Sequence, residues 1–156
     1  MVTIYKTYLN DEHLPSLVAE RQLVYDGSER SRLTSPIDVV MLLRQGLNHH
    51  KETEEVFYML CCDASGRVVG LFEIARGGQS SAQVEIASCM KKALLSGASG
   101  LIFAHNHPSG DVMPSREDKA VSERLKKSCE LLQIHYNDFI IVGENTYTSF
   151  KDSELI

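Results

Sequence analysis

The stretch "HNHPSGDVMPSRED", residues 105 to 118, contains two histidines, two prolines, a glycine and several oxygen-bearing side chains. His105 and His107 stand at the end of an apolar run, "LIFAHNH". In a strand, residues i and i+2 point to the same face, so both imidazoles can approach one ion. Pro108 stops the strand and "PSGD" turns the chain into a loop, which places the histidines at a strand end, the usual address of active sites in α/β folds. Ser115 and Asp118 follow at an i, i+3 spacing on the first turn of a helix, and the intervening loop is long enough to fold that turn back over the strand end. His105, His107 and Asp118 would give a zinc ion three ligands, with a fourth position left for water, the layout of a catalytic site holding one Zn2+ per chain.

Each part also has a plainer explanation. Ser115 with Asp118 is an S-x-x-D capping box, and strand histidines are often packed or exposed without any metal. Hydrolytic chemistry further needs a proton acceptor. The candidate is Glu73 in "LFEIARG", a lone acid between Phe72 and Ile74 in an apolar strand, where a carboxylate needs a partner. Exposure at a sheet edge would also account for it. Asp111 could orient a histidine or simply serve the turn, and Asn106 is expected to point away from the histidine face and give structural support.

The elements that must position these groups follow from periodicity. "VTIYKTYL" reads as a strand, "LPSLVAERQLVY" as a short amphipathic helix and "DGSERSRLTSP" as a polar linker. A helix begins at Pro36, capped by Ser35, with Ile37, Val40, Met41 and Leu43 or Leu47 on its apolar stripe. "VFYMLCCD", the turn "ASGR" and "VVGLFEIARG" form a hairpin. "SAQVEIASCMKKALLSGA" is a helix closed by Gly97, "SGLIFAHNH" a strand covered on both faces, and "SREDKAVSERLKKSCELLQI" a helix of about five turns. "NDFIIVGENTYTSF" supplies two more strands. The fold class is α/β, a mixed β-sheet flanked by α-helices, with residues 1–35 as an N-terminal extension, 36–150 as the domain and 151–156 as a tail.

Composition narrows the function. The chain has 156 residues, enough for one core, and neither an apolar run of about eighteen residues or more nor a leader pattern, so a soluble, cytoplasmic protein is expected. A net charge of −5 argues against coating nucleic acid. No glycine-rich phosphate loop is present. The four cysteines form no C-x-x-C pair and read as reduced, buried thiols. His49 and His50 in "LNHHKETEE" read as an exposed helix end or loop, and His13 and His135 as solitary solvent-facing residues.

Glu73 followed by H-x-H, seven residues and S-x-x-D resembles the JAMM (MPN+) metalloprotease pattern, and "HNHPSGD", "PSRED", "FEIARGG", "DFIIVG" and "YTSF" resemble the RadC-like JAB domain over residues 36 to 150. The resemblance implies a JAMM/MPN-like (cytidine-deaminase-like) fold. It also implies zinc held by His105, His107 and Asp118, Glu73 as general base, Ser115 stabilising an oxyanion, and a peptide or isopeptide bond in a protein substrate as the target. Gln83, Val84 and Phe139 depart from the RadC-like pattern, and no helix-hairpin-helix segment is recognisable. Two alternatives stand beside a hydrolase: a DNA-repair or mobile-element accessory protein that binds DNA or a partner, and a metal-binding scaffold without turnover. No membrane association is expected, and oligomeric state is open.

Overall fold

The structure is a computed structural model and describes residues 1–24, 32–77 and 84–156. Along the chain run β1 (Val2–Leu9), β2 (Pro15–Leu23), α1 (Pro36–Leu47), a 3-10 turn (His49–Lys51), β3 (Val56–Cys62), β4 (Val68–Arg76), α2 (Ile86–Ser96), β5 (Gly100–Asn106), α3 (Arg116–Leu132), β6 (His135–Val142) and β7 (Tyr147–Ser149). The strands make one seven-stranded sheet in the order β2-β1-β4-β3-β5-β6-β7. β1 runs parallel to β4 and β5 parallel to β6, and the other neighbours are antiparallel. This is the expected mixed sheet flanked by helices.

Strand alternation divides the core into two layers. On one face α1 lays Val39, Val40, Leu42 and Leu43 against Tyr58, Leu60, Leu71, Ala104 and Ile140. On the other, the cluster around α2 and α3 gathers Cys89, Met90, Val121, Leu125 and Cys129 with Phe57, Met59, Phe72, Phe103 and Phe139. β3 and β5 lie between the layers and are buried at every position, which explains why both read as unbroken apolar runs.

Three expectations about elements change. Of the segment read as an amphipathic helix, "LPSLVAERQLVY", Pro15–Leu23 is instead the edge strand β2, paired antiparallel with β1, and the segment's last residue lies outside the described residues. Its Pro15 sits at the first strand position, where a missing N–H does least harm, and pairing with β1 satisfies the backbone without needing a helical stripe. The α1 stripe is rotated: Val39 and Leu42 are buried, whereas Ile37 and Met41 are substantially exposed. The helix around "SAQVEIASCMKKALLSGA" begins at Ile86, and residues 81–83 of that stretch lie outside the described residues, as does most of the linker segment.

Other local signals fold as their chemistry directs. Ser35 donates its backbone N–H and its hydroxyl to Asp38 Oδ2 at 2.9 and 3.0 Å, closing the first turn of α1. Asp63 Oδ1 accepts from the backbone N–H of Ser65 and Arg67, fixing the β3–β4 turn. All four cysteines are buried and unbridged, and burial pushes the Cys61, Cys62 and Cys89 thiols up to about 12. No helix among the described residues is long and apolar enough to cross a membrane.

Candidate metal centre

β5 delivers His105, the residue just after its end is His107, and α3 begins close enough to bring Asp118 onto the same point. The loop between them depends on two glycines. Gly110 has φ +80°, the left-handed region that a side chain resists, and its N–H closes a turn on the His107 carbonyl at 2.9 Å. Gly143 in the β6–β7 turn leaves room for that loop: a Cβ there would meet Val112 Cγ1 at 2.7 Å.

The three side chains converge. His105 Nε2 lies 3.0 Å from His107 Nε2 and 3.0 Å from Asp118 Oδ1, and His107 Nε2 lies 3.4 Å from Asp118 Oδ2. Ligand atoms bound at roughly 2.0–2.1 Å to a tetrahedral ion are about 3.3 Å apart, so the donor spacing fits one small divalent cation. Among the described residues this is the one His/Cys/Asp/Glu group of three or more whose donor atoms gather in this way.

Each donor is held from behind. The His105 ring is fully buried, stacked on Phe57 at 5.5 Å and met by the edge of Phe139 at 5.3 Å. His107 Nδ1 donates to the Asp111 carbonyl at 2.6 Å, which leaves Nε2 free to face the shared point. Asp111 therefore orients a histidine, through its backbone. Asp118 Oδ2 accepts from the Ser115 N–H at 2.8 Å and hydroxyl at 2.6 Å, and Ser115 Oγ accepts the Asp118 N–H at 3.0 Å. The capping box and the candidate ligand set are thus one structure: the cap fixes the Asp118 rotamer.

Electrostatics match a cation site. Burial works against the Asp118 charge, but hydrogen bonds from His105, His107 and Ser115 outweigh it and hold the carboxyl far below the usual carboxylate range. The hydrogen bond to Asp118 raises His107 above an ordinary imidazole, with burial opposing.

The structure does not bring Glu73 to the cluster. Its strand partner is Tyr58, whose neighbours face α1, so Glu73 lies on the opposite side of the sheet from His105, whose partner is Phe57. There its carboxylate accepts from Arg76 at 3.0 Å and from the Tyr58 hydroxyl at 3.3 Å, and its side chain is 41% exposed. The acid that does reach the cluster is Glu55, with Oε1 4.0 Å from His105 Nε2 and a side chain only 13% exposed. Burial raises the Glu55 pKa; His105 and His107 pull it down, and Asp118 pushes it further up. A signal for Glu55 existed in the sequence. It stands two residues before Phe57, and hence on the histidine face, at the start of a strand whose antiparallel partner ends in H-x-H.

His49 is a correction. It is fully buried, donates from Nε2 to the Val56 carbonyl at 2.8 Å and meets Tyr58 edge-on. His13 and His135 are exposed, as expected. Val84 and Phe139 are both buried in the α2–α3 layer, so these departures from the RadC-like pattern are packing residues, and Gln83 lies outside the described residues.

Comparison with known proteins agrees with this geometry. The RadC-like JAB domain family matches residues 33–155. The chain belongs to that family. A UPF0758 protein of Coprothermobacter proteolyticus is 35% identical over 148 residues, 89% of this chain and 60% of its own length. Another, from Carboxydothermus hydrogenoformans, is 36% identical over 138 residues, covering 88% of this chain and 60% of that protein. A third, from Methanosarcina barkeri, is 32% identical over 139 residues, with 89% and 60% covered. The chain spans about 60% of the length of these relatives. Membership and a His-His-Asp group able to hold a metal ion make a hydrolase role plausible for this RadC-like domain.

Proposed function

We propose that this domain is a zinc-dependent hydrolase of the JAMM type that cleaves a peptide or isopeptide bond. The observation that carries the reading is the placement of one partly buried carboxylate, Glu55, 4.0 Å from a ligand of a three-donor cluster whose spacing suits a tetrahedral ion. Two imidazoles and one carboxylate form the donor set expected of catalytic zinc, with a position open to solvent chemistry.

When bound, zinc would polarise the scissile carbonyl and lower the pKa of water towards neutrality. His105, His107 and Asp118 would hold the ion. Glu55, replacing Glu73 in this role, takes the proton of the attacking water and returns it to the leaving nitrogen. Its cover from solvent and its place beside the cluster suit that exchange. Ser115 is assigned to the negative charge that develops on the carbonyl oxygen: its hydroxyl proton, given to Asp118 Oδ2 in this structure, turns to that oxygen while its backbone N–H keeps hold of Asp118. The protein or peptide substrate stays unnamed.

Elemental mass spectrometry of the purified chain beside His107→Ala tests the reading. About one zinc per chain, lost in the variant, is the expected result. An absence of metal in the parent chain after zinc is offered would leave a turn and a helix cap, and the hydrolase reading would fall.

A further inference from the structure

We infer that Asn106, the residue between the two histidines, is a positioning residue that sets Glu55 against the metal cluster. The inference rests on the reading of Glu55 as the base. Asn106 is 1% exposed and points away from the histidine face, towards the segment that carries Glu55. Its Oδ1 accepts from the Val56 N–H at 2.8 Å, and its Nδ2 donates to the Glu54 carbonyl at 2.9 Å and the Glu52 carbonyl at 3.4 Å. The Glu54 carbonyl and the Val56 N–H belong to the peptide groups on either side of Glu55. One side-chain amide therefore clamps Glu55 from both sides.

The clamp stands where the backbone ladder ends. The β3–β5 register stops at Phe57 and His105, and from there the Asn106 side chain takes over from main-chain pairing. Glu55 is thereby tied to the three residues that supply two of the candidate ligands. The Gly77 N–H on the Glu55 carbonyl at 3.0 Å and His49 on the Val56 carbonyl complete the frame. Few side chains could replace Asn106, because the position needs one acceptor and two donors in a single plane. Aspartate would turn its second oxygen against two carbonyls, and serine has one donor on a shorter stem.

The test uses the full chain loaded with cobalt(II), whose visible absorption changes with pH as groups beside the metal ionise. The pH midpoint is read in the parent chain, Glu55→Gln, Asn106→Ala, Asn106→Asp and the double variant Asn106→Ala/Glu55→Gln. Cobalt affinity is measured by competition with a chelator, and amide exchange is followed at Val56. The expected result is that Asn106→Ala and Asn106→Asp keep cobalt affinity within about threefold, a small change in free energy. Both should move the midpoint in the same direction as Glu55→Gln, and Asn106→Ala should add nothing further in the double variant. In Asn106→Ala, which removes the acceptor of the Val56 N–H, Val56 exchange should rise while the centre of β3 stays protected, which separates loss of the clamp from loss of the fold. An unmoved midpoint in the Asn106 variants, beside a moved one in Glu55→Gln, overturns the inference alone. So does an equal shift with and without Glu55, or a loss of cobalt matching that of His107→Ala. An unmoved midpoint in Glu55→Gln overturns the base reading and the positioning role with it.

Discussion

Glu55 and Glu73 sit near the same end of one hairpin, on opposite faces of one sheet, and their surroundings could hardly differ more. Glu73 has a guanidinium and a phenol within hydrogen-bond reach and opens onto solvent. Glu55 is largely covered, and burial and the nearby Asp118 carboxylate work against its charge while His105 and His107 favour it. A carboxylate satisfied by neighbours is structural. One held poorly solvated beside a cation site is equipped to exchange protons.

The sharpest way to break this comparison is to neutralise each acid in turn. Glu55→Gln should keep its metal and lose hydrolysis by about 10²–10⁴-fold, the usual range for a general base. Glu73→Gln should stay within a few-fold of the parent chain in the same assay. Equal losses, or a reversed order, would return the base to the α1 face.

The largest stability effect expected concerns His49, on the Glu73 side. Burial lowers its pKa from 6.5 to about 4, with the hydrogen bond to Val56 opposing. A histidine depressed in the folded state takes up a proton on unfolding, so its contribution is present above pH 6.5 and disappears as pH falls towards 4. The shift corresponds to about 3 kcal/mol across that window. Denaturant midpoints measured at several pH values should converge for His49→Gln and the parent chain in acid and diverge towards neutrality. A constant difference between the two would show that His49 does not carry the pH dependence.

Metal binding should stabilise only through the other face. Zinc at 100 times its Kd contributes about 2.7 kcal/mol, which for a chain of this size is a rise in Tm of roughly 5–10 °C. The rise should vanish in His107→Ala and persist in Glu73→Gln, as read by thermal melts with zinc and with chelator.

Much of this was legible in the residues, and the failures share a cause. H-x-H with S-x-x-D located the cluster because the constraints are local: strand parity, a turn and a helix cap. β3 and β5 were legible as buried runs. That Glu73 lies away from the cluster was not legible, because choosing between two acids on a hairpin requires the register, and a bulge between Phe57 and Tyr58 shifts that register. The β2 segment misled for a related reason: its burial depends on β1, a partner that local periodicity does not represent. His49 looked exposed because its neighbours in sequence are polar, whereas its neighbours in space are Val56 and Tyr58.

The smallest expected effect is the stability change on removing Glu73 itself. Arg76 bridges Glu73 and Glu52 with both side chains partly open to water, and exposed ion pairs of this kind contribute about 1 kcal/mol or less. A double-mutant cycle of Glu73→Gln and Arg76→Gln, read by denaturant unfolding at low and high salt, should give a coupling of that size that shrinks with salt. A larger, salt-insensitive coupling would carry a different meaning. Arg76 also holds Glu52, whose carbonyl receives the longest of the Asn106 hydrogen bonds. Strong coupling would therefore show that the solvent-facing network braces the segment carrying Glu55, and the two faces would no longer be independent.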